Sequence, residues 1–182
     1  YKAGQIAGHF TANPVPGVEV VCIEEDTPLG TGGAARFAAS HVKAAWTFVL
    51  NGDSICPARL APMAAAAAAP GCLAVILGAE MDDAGDYGTI ESDNAGGITA
   101  FIEKGRRAGG GVVNAGIYLV RREWLMTLPE GKPLSIERDV FPGMAPAELR
   151  LCRTSEPFLD IGVPARLAQA ERFFMQHLAG AV

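Results

Sequence analysis

Two aspartates of this sequence occupy positions where carboxylates commonly meet a ligand. Asp53 follows the apolar run WTFVL within the turn NGDS, and Asp160 stands in FLDIGVP, shortly before a helix expected to begin at Pro164. In layered α/β proteins, ligands bind beyond the carboxyl ends of the strands. Two carboxylates that converge at such a rim suit Mg²⁺, which takes a few carboxylates together with water and phosphate oxygens. Either aspartate alone is more simply explained as a turn residue whose side chain bonds the local backbone, and it is the pair that favours a ligand site.

A glycine-rich stretch, GTGGAA at 30–35, is the second candidate for ligand binding. It matches G-x-G-x-x-A, the fingerprint of dinucleotide-binding proteins, so an NAD-dependent oxidoreductase is an alternative. The fingerprint's first glycine should follow its strand directly, whereas EEDTPL separates Gly30 from the apolar run VEVVCI. Two interpretations remain open. The turn either packs a helix on the sheet, or brings its backbone close to a flat or anionic ligand at a helix N-terminus.

Hydrophobic periodicity predicts alternating helices and strands. Helices are expected at 2–10, 32–42, 57–69 and 164–179, and strands at 18–23, 46–50, 72–78, 97–103, 113–120 and 149–153. The continuous apolar runs VEVVCI and LAVIL favour a parallel sheet covered on both faces, whereas the alternation in GITAFIE favours an exposed or antiparallel strand. We therefore expect a three-layer α/β/α, Rossmann-like fold with a mixed, mostly parallel sheet. With 182 residues, 49% of them hydrophobic, and no linker-like segment, the chain is expected to form a single domain, 1–182.

Composition argues against several classes of partner. The formal net charge is −5 and the basic residues are scattered, which argues against nucleic-acid binding. The four cysteines form no C-x-x-C pattern, so neither a zinc site nor a disulfide framework is indicated, and reduced thiols in a cytoplasmic protein are expected. The most apolar window, Ala64–Leu77, is short and contains Pro70, so no membrane span is predicted.

Seven segments, taken in order, resemble the sugar-phosphate nucleotidyltransferase family and together cover essentially the whole chain. They are PLGTGGA (28–34), LNGD (50–53), YGTIESD (87–93), ITAFIEKG (98–105), VNAGIYLV (113–120), SIERDVFP (135–142) and FLDIGVPARLAQAE (158–171). Within the family, the chain is most similar to the D-glycero-D-manno-heptose 1-phosphate guanylyltransferase branch, near the mannose 1-phosphate guanylyltransferases. The resemblance implies transfer of a nucleoside monophosphate, here GMP, from a nucleoside triphosphate to heptose or mannose 1-phosphate, which gives an NDP-sugar and pyrophosphate.

The resemblance also implies a role for individual residues. Asp53 and Asp160 would hold Mg²⁺, and Lys104 would meet the phosphate of the sugar. The other implied contacts are with the nucleotide, at Leu29, Gly30, Thr31, Gly33, Asn51 and Gly52, and with the sugar, at Gly88, Glu103 and Asn114. The sugar 1-phosphate is already an anionic nucleophile, so no catalytic base is needed. We expect catalysis to consist of holding the substrates in line and neutralising the charge of their phosphates.

Two motifs of the family do not occur in this sequence: the G-x-G-T-R loop after a first strand, and a downstream P-K-P, which grip the triphosphate. We therefore expect the first βαβ unit to be absent and turnover by this chain alone to be weak or undetectable. A catalytically impaired module that binds nucleotide or NDP-sugar is a second alternative. A hydrophobic sheet edge left by the absent strand would favour a homodimer or a complementing N-terminal segment.

Overall fold

The computed structural model describes residues 2–106 and 109–178. The helices within this part are α1 (Ala3–Ala12), α2 (Gly30–Ala39), α3 (Ala61–Ala67), α4 (Arg122–Leu125), α5 (Pro164–Leu167) and α6 (Ala170–His177). The strands are β1 (Trp46–Leu50), β2 (Ser54–Ile55), β3 (Ala74–Met81), β4 (Thr89–Ser92), β5 (Ile98–Ile102), β6 (Gly111–Arg121), β7 (Leu149–Thr154) and β8 (Leu159–Asp160). A π-helical turn, Ile136–Val140, and a 3₁₀ turn, Phe141–Gly143, follow α4.

The long strand β6 organises the main sheet. The strand order is β5-β4-β6-β3-β7, and β1 also pairs with β6. Strand β3 lies along one edge of β6, from Ala74 opposite Val120 to Met81 opposite Gly111. Strands β1 and β4 therefore share the other edge, with β1 along 117–121 and β4 opposite Val113. A separate two-stranded sheet joins β2 to β8.

Two hydrophobic clusters cover the two faces of the main sheet. One contains residues of α2 and α4 and the helical turns, including Ala35, Leu125 and Phe141. The other contains residues of α3, including Met63 and Ala67. Both clusters take alternate residues of β3 and β6, because successive side chains of a strand point to opposite faces. The chain thus forms the expected layers, with helices on both sides of a sheet.

The predicted direction of the sheet is wrong. We expected a mostly parallel sheet, but β3 with β7 is the one parallel pair among the described strands, and every other pair is antiparallel. A continuous apolar run indicates burial on both faces, and the two clusters supply that burial whatever the direction of the neighbouring strands. The antiparallel pairing predicted from GITAFIE is confirmed by β4 and β5.

The predicted strand at 18–23 is also wrong, so the predicted alternation of strands and helices does not begin with a strand there. VEVVCI forms no ladder with any described strand, and Val18 and Val21 are more than half exposed, at 58% and 64%. Its sequence suits a strand, but a strand also needs a partner for its backbone groups. Strand β1 likewise pairs with β6 alone, and its Phe48 and Leu50 are exposed. Complementation of this edge by a second copy or another segment remains a prediction.

Most helix predictions differ from the structure at their ends. Helix α2 begins at Gly30 rather than at 32, and the single helix predicted at 164–179 is divided into α5 and α6. The start at Pro164 is confirmed, whereas the predicted end at 179 lies outside the described residues. Within the described ranges, no helix is both long and apolar enough to cross a membrane.

The glycines of GTGGAA allow the segment 132–136 to approach α2 closely. Gly30 has a φ of +67°, and a Cβ added there would stand 2.6 Å from the carbonyl oxygen of Leu134. A Cβ on Gly33 would stand 2.6 Å from the carbonyl oxygen of Lys132. The N–H of Gly32 donates to Leu134 O at 2.8 Å, and Leu134 N–H donates to Leu29 O at 2.8 Å. A side chain at either glycine would push the two backbones apart.

We predict that Gly33→Ala destabilises the chain by about 1–3 kcal/mol, because the added methyl group overlaps backbone that cannot rotate away. Chemical denaturation of the purified chain measures this change in the free energy of unfolding. Gly8→Ala in α1 is the matched control, since outside the backbone of α1 no atom of the described residues lies within 4 Å of its Cβ position and alanine favours a helix. Equal stability of the two variants would contradict the close packing at Gly33.

Candidate active site

The short sheet of β2 and β8 brings the two predicted aspartates together. Asp53 directly precedes β2, and Asp160 is the last residue of β8 and pairs with Ser54. The N–H of Ile161 donates to the carbonyl oxygen of Asp53 at 2.7 Å, which extends the pairing by one residue. Two carboxylates that are more than a hundred residues apart in sequence are thus held side by side by backbone hydrogen bonds.

The two carboxylates converge on Gly162. A Cβ placed on this glycine would stand 3.1 Å from Asp160 Oδ1 and 3.2 Å from Asp53 Oδ2. The N–H of Gly162 donates to Asp160 Oδ1 at 2.7 Å and fixes that side chain. Asp53 is exposed, so its carboxylate is open to a ligand from solvent. A side chain at 162 would occupy space that the two oxygens face.

The donor set fits Mg²⁺ in its chemistry. Carboxylate oxygens are hard ligands, and Mg²⁺ is commonly held by one or two carboxylates with water and substrate phosphates. Among residues 2–106 and 109–178, no three His, Cys, Asp or Glu side chains are grouped closely enough to hold a metal ion. Asp53 and Asp160 are therefore a pair that leaves room for oxygens from outside the protein.

Sequence reasoning missed Arg166 and Tyr87, which also belong to this site. Arg166 forms an ion pair with Asp160, with 2.9 Å between Nη2 and Oδ2. Its Nη1 donates to the hydroxyl of Tyr87 at 3.1 Å, and its guanidinium carbon lies 5.3 Å from the centre of the Tyr87 ring. Both residues stand in segments that carry the family resemblance, but 79 positions separate them and no local pattern predicts their contact.

A groove of about 620 Å³ runs between α2 and β1 and ends at Asp53. Its polar end contains four of the predicted residues: Thr31, Asn51, Gly52 and Asp53. Its walls are apolar, from Ala34 and Ala38 of α2 and from Val49 of β1. Backbone pairing of Asn51 with β6 fixes this end, because Asn51 N–H donates to Gly116 O at 2.8 Å.

The structure places the other three predicted nucleotide residues away from this groove. Leu29 and Gly33 line a separate pocket of about 230 Å³, and Gly30 contacts the backbone of Leu134. Leu29 is buried, and its N–H donates to Glu25 Oε2 at 3.0 Å. The N–H groups of Gly32 and Gly33 both point to Leu134 O, so protein already occupies the start of α2.

A network of polar side chains joins the groove to the centre of β6. Tyr118 donates its hydroxyl hydrogen to Glu137 Oε1 at 2.9 Å and accepts from Asn114 Nδ2 at 2.9 Å. Glu137 Oε2 accepts from the hydroxyls of Thr31, at 2.7 Å, and Ser135, at 2.9 Å. Asn114 Oδ1 accepts from the N–H of Gly116 at 2.9 Å. The side chains of Thr31 and Asn114 are thus held in place before any ligand arrives.

Burial raises the pKa of Tyr118 well above its usual range, and the nearby Glu137 carboxylate raises the pKa further. The amide groups of Asn114 and Asn51 lower the pKa of Tyr118 by a smaller amount. The hydroxyl therefore stays protonated at neutral pH and serves as a hydrogen-bond donor to Glu137.

The predicted sugar contacts divide into two groups. Gly88 and Glu103 lie near each other, because Thr89 pairs with Ile102 and a Cβ on Gly88 would stand 3.2 Å from Ile102 O. Glu103 lines a cleft of about 420 Å³ that Glu137 also lines, and its largely exposed carboxylate lies 3.5 Å from Arg106. Lys104 is exposed on the following turn. Asn114 lies on β6 within the polar network.

Helices on both faces of a mixed sheet define an α/β protein, and the groove and the paired carboxylates where strands end form its candidate ligand site. The family described as Nucleotidyl transferase matches residues 1–177 of the sequence. The chain belongs to this nucleotidyl transferase family.

Similar proteins are known in plants, fungi and bacteria. A probable mannose-1-phosphate guanylyltransferase 2 of Arabidopsis thaliana is 33% identical over 167 residues, which are 89% of this chain and 46% of the plant protein. Mannose-1-phosphate guanyltransferase of Saccharomyces cerevisiae is 32% identical over 168 residues, 90% of this chain and 46% of the yeast protein. The chain thus spans less than half the length of these relatives.

Among solved structures, HddC of Yersinia pseudotuberculosis in complex with GMP-PN matches with a TM-score of 0.84 and 30% identity. The match covers 95% of this chain and 75% of the HddC chain. The predicted membership of the nucleotidyltransferase family and the resemblance to guanylyltransferases are confirmed by these matches.

We predict that Tyr118→Phe lowers the free energy of unfolding by about 1–3 kcal/mol, because Glu137 loses a donor and Asn114 loses an acceptor in a buried place. Urea denaturation at neutral pH measures the loss. Unchanged stability would mean that water or another side chain replaces the hydroxyl.

Comparing the wild type with Tyr118→Phe also tests the raised pKa of Tyr118. Below the ordinary value of 10.0, the hydroxyl is protonated in both the folded and the unfolded chain. As the pH rises above that value, the unfolded chain loses the Tyr118 proton while the folded chain keeps it. The wild type therefore loses the part of its stability that comes from Tyr118, a contribution that Tyr118→Phe does not have. The difference between the free energies of unfolding of the wild type and of Tyr118→Phe should narrow by about 1.4 kcal/mol per pH unit above pH 10. A difference that stays constant between pH 8 and pH 11 would contradict the raised pKa.

Proposed function

We propose that this chain carries the nucleotide and metal sites of a sugar-1-phosphate guanylyltransferase. The proposed reaction transfers GMP from GTP to D-glycero-D-manno-heptose 1-phosphate or mannose 1-phosphate and releases pyrophosphate. The convergence of Asp53 and Asp160 at the end of the α2–β1 groove is the observation that carries the proposal. The mannose-1-phosphate guanylyltransferase relatives, and HddC with its bound GMP-PN, support guanine as the base.

In this proposal, the nucleotide enters the groove between α2 and β1. The apolar walls formed by Ala34, Ala38 and Val49 suit the faces of a purine ring. Thr31 is already bonded to Glu137 and to the N–H of Ile136, so it shapes the groove rather than reads the base. The Asn51 amide is directed in part to Tyr118, and its remaining donor and its acceptor suit a base edge.

Asp53 and Asp160 would hold Mg²⁺ beside the phosphates. When bound, the metal ion would neutralise charge on the triphosphate and on the incoming phosphate. The chain has a net charge of −5, so this neutralisation must be local. The phosphate oxygen of the sugar 1-phosphate would attack the α-phosphorus of GTP, and the bond from that phosphorus to the leaving pyrophosphate would break. The protein's part would be to hold the two substrates in line.

The sugar would lie towards β4 and β5, beyond the end of the groove at Asp53. Gly88 gives access there because it carries no side chain, and Glu103 offers acceptors for hydroxyl groups. Exposed Lys104 follows Glu103 directly and supplies a positive charge for the sugar phosphate. Asn114 would contact the sugar from β6 with the amide hydrogen that Tyr118 leaves unused.

A module that binds nucleotide without turnover is the second candidate. The sequence contains neither the G-x-G-T-R loop nor the P-K-P motif that grip the triphosphate in the resembled family. The dinucleotide alternative loses its support, because the N–H groups that would meet a pyrophosphate at the start of α2 bond Leu134.

We predict that pyrophosphate release by the purified chain requires Mg²⁺ and is greatest with GTP and heptose or mannose 1-phosphate. The assay combines each of the four nucleoside triphosphates with a panel of sugar 1-phosphates. Weak release is expected, since the family's triphosphate-gripping motifs do not occur in the sequence. Guanine-nucleotide binding with no release under any condition would favour the second candidate, and release with a pyrimidine nucleotide would overturn the assignment of the base.

We further predict that Asp53→Asn and Asp160→Asn each reduce Mg²⁺-dependent release, or Mg²⁺-dependent GTP binding, by about 100-fold or more, because each removes a charged metal ligand. Asp83→Asn is the matched control. Its carboxylate accepts from Gly85 N–H in an exposed turn, so it should leave both quantities unchanged. Wild-type behaviour of either site variant would remove that aspartate from the metal site.

A further inference from the structure

We propose that Arg166 is an exchangeable counter-ion of the Asp53–Asp160 pair. In the protein without a divalent cation, Arg166 neutralises Asp160. When a cation enters together with phosphates, the guanidinium transfers its hydrogen bonds from Asp160 to a phosphate oxygen. The inference rests on the metal site of the proposed function and adds a phosphate-binding residue to it.

The first observation is that the two carboxylate oxygens of Asp160 have different partners. Oδ1 accepts from the backbone N–H of Gly162, and Oδ2 lies 2.9 Å from Nη2 of Arg166. The backbone hydrogen bond orients the carboxylate without Arg166. The ion pair mainly offsets the repulsion between two carboxylates that face the same space. A cation between the converging oxygens would meet Asp53 Oδ2 and Asp160 Oδ1, and a cation that binds both oxygens of Asp160 competes directly with the guanidinium for Oδ2.

The second observation is that Tyr87 holds Arg166 independently of Asp160. The hydroxyl of Tyr87 accepts from Nη1 at 3.1 Å, and the ring lies under the guanidinium carbon at 5.3 Å. The ring of Tyr87 packs edge-on against Phe158, two residues before Asp160. When Asp160 turns to a cation, these contacts keep the positive charge at the rim.

The third observation is that the guanidinium of Arg166 has more N–H groups than its contacts with Tyr87 and Asp160 use. It carries five N–H groups, and the hydrogen bond to Tyr87 and the contact with Asp160 employ two of its nitrogens. The Nε atom is buried and has no hydrogen-bond partner in the described part of the chain. A planar guanidinium with free donors suits the paired oxygens of a phosphate. Arg166 is thus placed to add positive charge beside the paired carboxylates.

Opposite effects on two ligands distinguish this role from a structural one. Removing Arg166 should tighten the binding of a cation alone, because a competitor is lost. The same removal should weaken the binding of a cation with a polyphosphate, because a donor to phosphate is lost. A residue that only maintains the local fold would change both affinities in the same direction.

The test uses Mn²⁺ as the probe, since Mn²⁺ favours the same oxygen ligands as Mg²⁺. Electron paramagnetic resonance or calorimetry measures Mn²⁺ binding to the whole chain, with and without inorganic triphosphate. Arg166→Gln should bind Mn²⁺ alone about threefold or more tightly than the wild type. It should bind triphosphate in the presence of Mn²⁺ about tenfold more weakly. Arg172→Gln, an exposed arginine of α6, is the matched control and should change neither affinity.

Two further variants secure the interpretation. Arg166→Lys keeps the charge but loses the planar pair of donors, so triphosphate binding should weaken while Mn²⁺ binding stays near that of the wild type. Asp53→Asn should abolish Mn²⁺ binding if the signal comes from this site. Retained binding in that variant would overturn both the metal site and the inference.

The other outcomes separate the inference from the function on which it rests. A wild-type chain that binds no Mn²⁺, with or without triphosphate, overturns the metal site and the inference together. A wild-type chain that binds both ligands while Arg166→Gln matches it overturns the inference alone. Loss of both affinities in Arg166→Gln would assign Arg166 a structural role instead.

Discussion

The hydrogen-bonded ladder of β6 is the constraint on which the rest of the structure depends. Three strands, β1, β3 and β4, pair with this one strand, and β3 in turn carries β7. Because β1 runs antiparallel to β6 and ends with Leu50 opposite Ile117, the chain leaves the sheet near the middle of β6. Asn51 bonds Gly116 at this point, and Asp53 follows two residues later. The groove and the first carboxylate are therefore positioned by the register of β6.

The sequence predicted where strands lie better than how they pair. The runs at 46–50, 97–103, 113–120 and 149–153 all correspond to strands, because period and apolar content report burial. Neither property indicates which strand pairs with a given strand or in which direction it runs, so the run LAVIL could not predict an antiparallel sheet. VEVVCI shows the same limit, since its residues suit a strand but it has no partner among the described strands.

The candidate site was predictable to the extent that its residues follow strands. Asp53 and Asp160 each come at the end of an apolar run, and this position indicates a rim. Arg166 and Tyr87 could not be found in this way, because their contact joins segments far apart in the chain and depends on the path of the chain between them. The glycines of GTGGAA allowed two interpretations, a packing turn or a ligand-binding turn, and the contacts of Gly30 and Gly33 favour packing, against the segment 132–134 rather than the sheet.

The partners of the carboxylates distinguish a structural acid from one that can bind a ligand. Glu137 accepts from three hydroxyls, of Thr31, Ser135 and Tyr118, and a ligand would have to displace all three to reach both of its oxygens. Asp160 has one backbone donor and one guanidinium, and Tyr87 can retain that guanidinium after it leaves. Losing a fixed donor leaves a polar group unpaired, whereas exchanging one charge for another does not. Asp160 can therefore exchange its partner at a lower cost than Glu137, and this difference makes Asp160 the better candidate of the two for binding a ligand.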